Sequence, residues 1–417
     1  MYVDIDAVDN RAHAIANPKP IPRRSTPSRA RNELRAGDVI FSLVRPYLEN
    51  VARVPADLDG QVASTAFCVL RPSPEITTDF LFYSLLRPRF IRSVKTYGDS
   101  PPSARDDEFL RLAINVPTVD EQEEAVAEIE RQLTRLDFGR AVLDRSKARL
   151  GRYRASLLDA AWRGEVSGIA SSASNAGSVQ TLGAERDSRS SKRRTRRNRA
   201  FPVPTEPTGP LPRGWTWRTL DDLSWDASYG TSEKCSYESK GIPVLRIPNV
   251  VAGAIDTRDL KHAGPGLQVK GEEALQPNDL LMVRTNGSLS LVGRAASVAA
   301  RFDRPHYFAS YLIRFRLMGP LELGNLVTRL LEAPAVRRWM SLNAATSAGQ
   351  HNISLAKLRR LSLPIPPIDL LPRVTETLEG QLSIAGALQT AVGRAQSRER
   401  LLRDAILDAA VAGAYSL

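Results

Sequence analysis

The chain is nearly without cysteine: Cys68 and Cys235 are the only two in 417 residues. A disulfide framework is therefore not expected, nor is a metal site built on thiolates. Histidine is as scarce, with four residues that show neither metal-ligand spacing nor a nearby carboxylate placed for acid–base work. Long apolar runs are missing too, none approaching the roughly 18 residues of a membrane span. Met1 is not followed by a basic-then-apolar leader, so a soluble, cytoplasmic chain is expected. Nucleotide-cradling signatures are absent. There is no glycine-rich loop ending in Lys-Ser or Lys-Thr, and no Gly-x-Gly-x-x-Gly after a strand. The Pro-Pro-aromatic signature of adenine-methylating enzymes fails as well, because Pro101-Pro102 runs into Ser103 and Pro366-Pro367 into Ile368.

What is present is a duplication. Leu157-Leu158-Asp159-Ala160-Ala161 returns as Ile406-Leu407-Asp408-Ala409-Ala410, a spacing of 249 residues (159 to 408). The same spacing carries Pro117 onto Pro366, Asp120 onto Asp369 and Gln132 onto Gln381. Upstream, Leu34-Arg35-Ala36-Gly37-Asp38 matches Leu275-Gln276-Pro277-Asn278-Asp279 at a spacing of 241 (38 to 279), the slip that loop insertions produce. A unit this long is a duplicated domain, since solenoid repeats run about 20–50 residues. With 58 basic and 46 acidic residues the formal charge is +12, which favours a polyanionic partner without naming one. Two similar domains suit a pseudo-symmetric partner, and duplex DNA is the commonest of these.

Each copy reads as a strand-rich front and a helical rear. Asp38–Val44 and Ala66–Leu70 are β-branched and aromatic runs bounded by Gly, Pro and Asp, and Asp279–Val283 and Tyr311–Phe315 repeat them. Ile242–Ile247 adds a further run, and short helices are expected over Asp79–Leu86 and Leu323–Met340. In the rear of the first copy Ile129, Leu136, Leu143, Leu150 and Leu157 recur at seven-residue intervals, with Val126, Leu133 and Ala161 alongside. That is a coiled-coil stripe. Leu378, Ala385, Val392 and Ile406, beside Leu382 and Ala410, form the second seam, weakened by Gln389, Gln396 and Glu399. Neither stripe can be buried alone, so the simplest arrangement packs the helices on each other; burial of each on its own domain is the alternative.

Between the copies, a Ser/Ala/Gly tract, the basic run to Arg199 and the Pro-studded 201–212 stretch hold few large apolar residues, and a disordered linker is expected. The expected division is a first α+β domain over 1–118, a long helix over 119–165, the linker over 166–210, a second α+β domain over 211–367 and a second long helix over 368–417.

Leu211-Pro212-Arg213-Gly214-Trp215-Thr216-Trp217, Tyr229-Gly230-Thr231-Ser232, Gly241–Ile247, Arg284-Thr285-Asn286-Gly287-Ser288 and Leu291-Val292-Gly293-Arg294 follow one another in the second copy. This order resembles a target recognition domain of the DNA-specificity subunit of type I restriction–modification systems. The first copy is similar through Pro27–Arg31, Gly37-Asp38-Val39 and Arg45-Pro46-Tyr47-Leu48. The resemblance implies a non-catalytic subunit with two strand-rich recognition domains separated by two long antiparallel helices. Each domain would read half of a split site on double-stranded DNA, with half-sites about one helical turn, roughly 34 Å, apart. It also implies that the helices dock two modification subunits, adenine methyltransferases that carry S-adenosylmethionine, and that restriction subunits join them. Set against the second copy, which starts near Leu211, the first lacks about 30 residues of the family pattern before Met1, so an incomplete first recognition domain is expected.

Base reading needs donors and acceptors on loops held by a rigid sheet: Arg for guanine, Asn or Gln for adenine. Arg284, Thr285, Asn286 and Ser288 form one such loop, Gln350, His351 and Asn352 a second, Arg246 and Asn249 a third. The first copy offers Arg45, Tyr47 and Arg105, with the basic Arg29 and Arg31. Asn286-Gly287 also reads as a plain turn, and Asn352 as a helix cap. Trp215 and Trp217 read as core anchors. Two other classes stay open: a metal-dependent nuclease using Glu238 and Lys240, and a stand-alone DNA-binding regulator.

Overall fold

The computed structural model describes residues 1–22, 27–166, 210–251, 253–269, 271–347 and 349–413. The expected linker, basic run included, lies outside the described residues except at its two ends. Two compact units are formed, Met1–Lys147 with Thr390–Leu417, and Ala148–Gln389, so the division runs through both long helices.

In the first unit, Val39–Ser42 is the middle strand of an antiparallel sheet, between Val51–Arg53 and Phe67–Leu70. All four of its residues are buried. Because side chains alternate along a strand, Val39 and Phe41 face the helix Thr78–Leu86 while Ile40 faces Val3, Leu34 and Ala52. A second sheet orders Tyr2–Val3, Val62–Ser64 and Ala30–Glu33, the first two parallel. Gln122, fully buried, ties the first long helix to this front: its Oε1 accepts from the Thr77 N–H, and its Nε2 donates to the carbonyls of Glu75 and Pro117.

The second unit repeats the layout. Asp279–Val283 lies between Leu312–Leu317 and Ala295–Ser297, with Ser224–Tyr229 on the far edge, all antiparallel. Leu280 and Met282 face one cluster, Leu281 and Val283 another. Pro243–Leu245 runs parallel to Tyr307–Phe308, as Tyr2–Val3 does to Val62–Ser64. The helix expected over Leu323–Met340 is two, Leu321–Leu331 and Pro334–Asn343. Pro334 is the cause: it lacks an N–H and pushes Ala333 out of the helical region, to φ −59, ψ 140.

The first long helix is Val119–Trp162, opened by a reciprocal cap in which Thr118 and Glu121 bond each other's backbone and side chains. Gly164, at φ +74, closes it with Glu165 N–H bonded to Ala160 O, the left-handed stop that glycine takes without strain. The second is Leu371–Gly413. In the first unit their stretches run antiparallel: Arg403 donates to Asp137 at 2.9 Å and Gln396 to Asp144 at 2.6 Å, so seven residues down one helix match seven up the other. Ile129, Leu133 and Leu407 share the core there. In the second unit Leu158, Ala161 and Trp162 share a core with Leu371, Val374, Leu378 and Leu382. Two of the polar seam residues are matched: Glu399, 6% exposed, lies 4.0 Å from Arg140, and Gln396 meets Asp144. Trp215 is buried and Trp217 packs edge-on against Trp162 at 5.2 Å, as core anchors. No described helix is long and apolar enough to cross a membrane.

Candidate nucleic-acid interface

Two of the three candidate loops in the second unit become one surface. Thr285-Asn286 pairs antiparallel with Gln350–Asn352, placing Thr285 opposite Asn352 and Asn286 opposite His351. Ala345–Ser347 completes a three-stranded sheet on the other side of Gln350–Asn352. The backbone of Arg284 anchors it, donating to Tyr311 O and accepting from Ile353 N–H, both at 2.9 Å. The Arg284 Nε donates to Asn352 Oδ1 at 3.2 Å, and its guanidinium lies over the Tyr229 ring at 4.7 Å. His351 Nδ1 is 2.9 Å from Thr346 Oγ1. Gln350 and Ser288 are exposed, and Thr285, Asn286, His351 and Asn352 half-buried. Polar side chains with restricted orientations on a small rigid sheet are what reading a base edge requires.

The alternative roles divide. Asn286 is also a turn residue, its Oδ1 accepting from the Ser288 N–H at 2.8 Å. Asn352 is not a helix cap; Ser354 caps the helix Leu355–Arg359, accepting from Lys357 N–H. Arg246 and Asn249 are not brought to this sheet. Asn249 corrects the sequence reading outright: it is 2% exposed, its Oδ1 accepts from Arg246 N–H, and its Nδ2 donates to the carbonyls of Asp256 and Asp259. A side chain so engaged holds its own loop closed and has nothing left for a base. Arg246 is drawn to the Asp259 carboxylate at 3.2 Å.

The first unit carries a counterpart. Leu43 N–H donates to Ala66 O and Leu43 O accepts from Ala104 N–H, matching the anchoring bonds of Arg284. Val44 then bridges Ser103, and Ser103 bridges Tyr97. Arg45 and Tyr47 follow on an exposed turn, Arg45 in the left-handed region at φ +50. Arg105 lies over the Tyr97 ring at 4.4 Å. The Tyr97 hydroxyl donates to Glu108, which holds the phenol above its ordinary pKa. Arg29 and Arg31 lie elsewhere, exposed at the edge strand Ala30–Glu33, Arg31 bonding the Ser28 carbonyl.

Three ring or hydroxyl partners escape the sequence: Tyr229, Thr346 and Tyr97. For Tyr229 a signal exists in Gly230, where a Cβ would stand 2.1 Å from the Phe308 carbonyl oxygen, so the strand end is pinned against its neighbour. Glu238, the nuclease candidate, is a surface carboxylate held below its ordinary pKa by its own backbone N–H and the Ser236 hydroxyl. Among the described residues no group of three His, Cys, Asp or Glu side chains could hold a metal ion.

No protein-family model matches the chain. It is 24% identical over 353 residues, 84% of its own length and 68% of the relative's, to the type I restriction enzyme EcoKI specificity subunit of Escherichia coli. It is 25% identical over 210 residues to the StySPI specificity subunit of Salmonella potsdam, covering 49% of this chain and 44% of that one. By sequence the chain is similar to type I restriction enzyme specificity subunits. The fold agrees with solved structures. At 24% identity it superposes on a chain of a type I R-M system with TM-score 0.75, over 98% of this chain and 90% of that one. The HsdS subunit from Thermoanaerobacter tengcongensis gives 0.56 over 99% and 90%, also at 24% identity. The relatives are specificity subunits, and the nuclease reading of Glu238 and Lys240 finds no support among them.

Proposed function

We propose that this chain acts in the cytoplasm as the specificity subunit, the non-catalytic DNA-reading part of a type I restriction–modification enzyme. Each unit reads one half of a bipartite site on double-stranded DNA. Paired stretches of the long helices set the gap and dock two modification subunits, adenine methyltransferases that bring S-adenosylmethionine; restriction subunits complete the assembly. The observation that carries this reading is that in both units a strand end with the same anchoring bonds leads into a small bridged pairing, which gathers Arg284, Asn286, His351 and Asn352 in the second unit and Arg45, Tyr97 and Arg105 in the first. Direct contacts are assigned to Arg284, Thr285, Asn286, Ser288, Gln350, His351 and Asn352 in the second unit. In the first they are assigned to Arg45, Tyr47 and Arg105.

The test is selection from a random duplex library by the chain assembled with its modification subunits. Two short specified blocks separated by a fixed unspecified gap are expected. A single continuous block would refute the division of labour. Sequence-specific binding undiminished without modification subunits, together with failure to capture a methyltransferase, would favour the regulator. Metal-dependent cleavage by the isolated chain would restore the nuclease.

A further inference from the structure

Beside the Asn286–Ser290 turn the second unit holds a cavity of about 250 Å³ whose lining includes Ser290, Gly293, Arg294, Thr328, Glu332 and Arg337. That is several times the ~30 Å³ share of one water. Arg337, from the helix Pro334–Asn343, donates to the carbonyls of Val292 and Ser290 at 2.8 Å each. Among the described residues the Arg294 side chain bonds only the Val250 carbonyl, at 3.5 Å. Neither guanidinium forms an ion pair among the described residues. The nearby carboxylates are already engaged: Glu332 by Arg329 and Arg154, Glu379 by Arg329. Burial, then the Arg294 charge, push Arg337 below its ordinary pKa, with Glu332 pulling the other way. Gly293, at φ +78, keeps the wall bare, since a Cβ there would overlap the Met340 sulfur and come within 3.1 Å of Arg337 Nη1.

Two half-buried guanidiniums face one cavity whose single lining carboxylate, Glu332, is already shared by Arg154 and Arg329; they repel each other, and an anion shared between them removes that cost. Guanidinium forks fit the oxygens of a phosphate two at a time. We propose that this cavity is a phosphate site in which Arg294 and Arg337 hold one oxyanion, with Ser290 at its rim. Ser290 is four residues from Asn286 on the same turn, so the source we assign is a DNA backbone phosphate next to the base that turn reads. That source rests on the DNA-reading function above; the pocket chemistry does not, and free inorganic phosphate would share it.

The test uses the full chain and the variant Arg294→Gln, since Arg337 also fastens the turn. Without DNA, inorganic phosphate at constant ionic strength should raise the melting temperature above a chloride control, and the variant should lose that rise. In the assembly with modification subunits, Arg294→Gln should weaken specific and scrambled DNA by equal factors. It should also lower the slope of log K against log salt by about one. Arg294→Lys, which keeps the charge, should keep the slope and guards against a folding defect. A phosphate response with an unchanged slope would overturn the DNA source and leave free phosphate as the ligand. No phosphate response and no slope change would overturn the site. Should sequence-specific DNA binding itself fail, the phosphate arm still decides the pocket.

Discussion

The Arg284 guanidinium lies 4.7 Å over the Tyr229 ring, although the strand ending at Tyr229 and the strand Asp279–Val283, which Arg284 directly follows, flank Leu312–Leu317 on opposite sides. Arg284 therefore reaches across its neighbour to rest on an aromatic face, with Asn352 fixing its Nε. An arginine held on one side by a ring and on the other by an amide has lost most of its rotamer freedom before DNA arrives.

Arg284→Ala and Asn286→Ala should each weaken discrimination in one half-site only, by about 1–3 kcal/mol for every bidentate pair of base bonds removed. Tyr229→Ala should resemble Arg284→Ala, because the guanidinium loses its platform. Tyr229→Phe should be milder; it keeps the ring and drops only the hydroxyl's bond to Leu355 N–H. Competition binding with each half-site scrambled in turn is the measurement. Equal losses on random DNA would mark these residues as phosphate contacts or structural parts.

The long helices are legible in the sequence because their signal is local and repeated, a heptad stripe. The strands are legible from runs such as Val39–Ser42, whose every residue is buried. The meeting of Asn286 with His351 is not, because strand pairing across so many intervening residues has no local signature. Asn249 misleads for the opposite reason. A polar residue in a Pro-containing loop looks the same in sequence whether it faces solvent or closes the loop on itself, and only its bonds to the carbonyls of Asp256 and Asp259 decide. The break at Pro334 is readable in the sequence, because a proline ends a helix at the residue before it and the apolar stripe of Leu323, Leu326 and Leu330 changes phase beyond it.

The two units share one ion pair in different surroundings. In the second, Arg316 grips Asp279 through two bonds of 2.7 and 2.9 Å, with the side chains 4% and 0% exposed. In the first, Arg71 grips Asp38 the same way, but Arg71 is 47% exposed. Asp279→Asn strands a buried guanidinium and should cost the second unit about 3–5 kcal/mol. Asp38→Asn should cost less, since water solvates the guanidinium left behind. Denaturant unfolding of each variant, followed in each unit by hydrogen exchange, makes the comparison; equal losses would show that exposure of the arginine does not govern the cost.

His306 is 8% exposed, stacked on Phe302 at 4.1 Å, and bonded through Nδ1 to the Arg304 carbonyl. Burial, more than the Arg304 and His262 charges, holds it below the ordinary histidine value of 6.5. As pH falls past 6.5 the unfolded chain takes up a proton that the folded chain resists. Stability from this group is full above that value and is lost as pH drops through the lower, folded one. Between pH 7.5 and 5.5 the parent chain should lose more melting temperature than His306→Gln. Parallel curves would show that His306 does not titrate differently on folding.

The paired helices set the last expectation. Arg403 with Asp137 and Glu399 with Arg140 fix one antiparallel register. Removing residues 142–148 from the first helix and 392–398 from the second takes out seven on each side, so those two pairings and the seam continue in phase. The excised stretch includes the Asp144–Gln396 bond and seam leucine Leu143, but no residue of either candidate reading sheet. At 1.5 Å per residue the spacer shortens by about 10 Å, close to three base pairs. The preferred gap between half-sites should contract by that amount while the bases specified within each half stay the same. An unchanged gap in library selection would show that the helices do not measure the site, and changed bases would show that the deletion had disturbed the reading sheets.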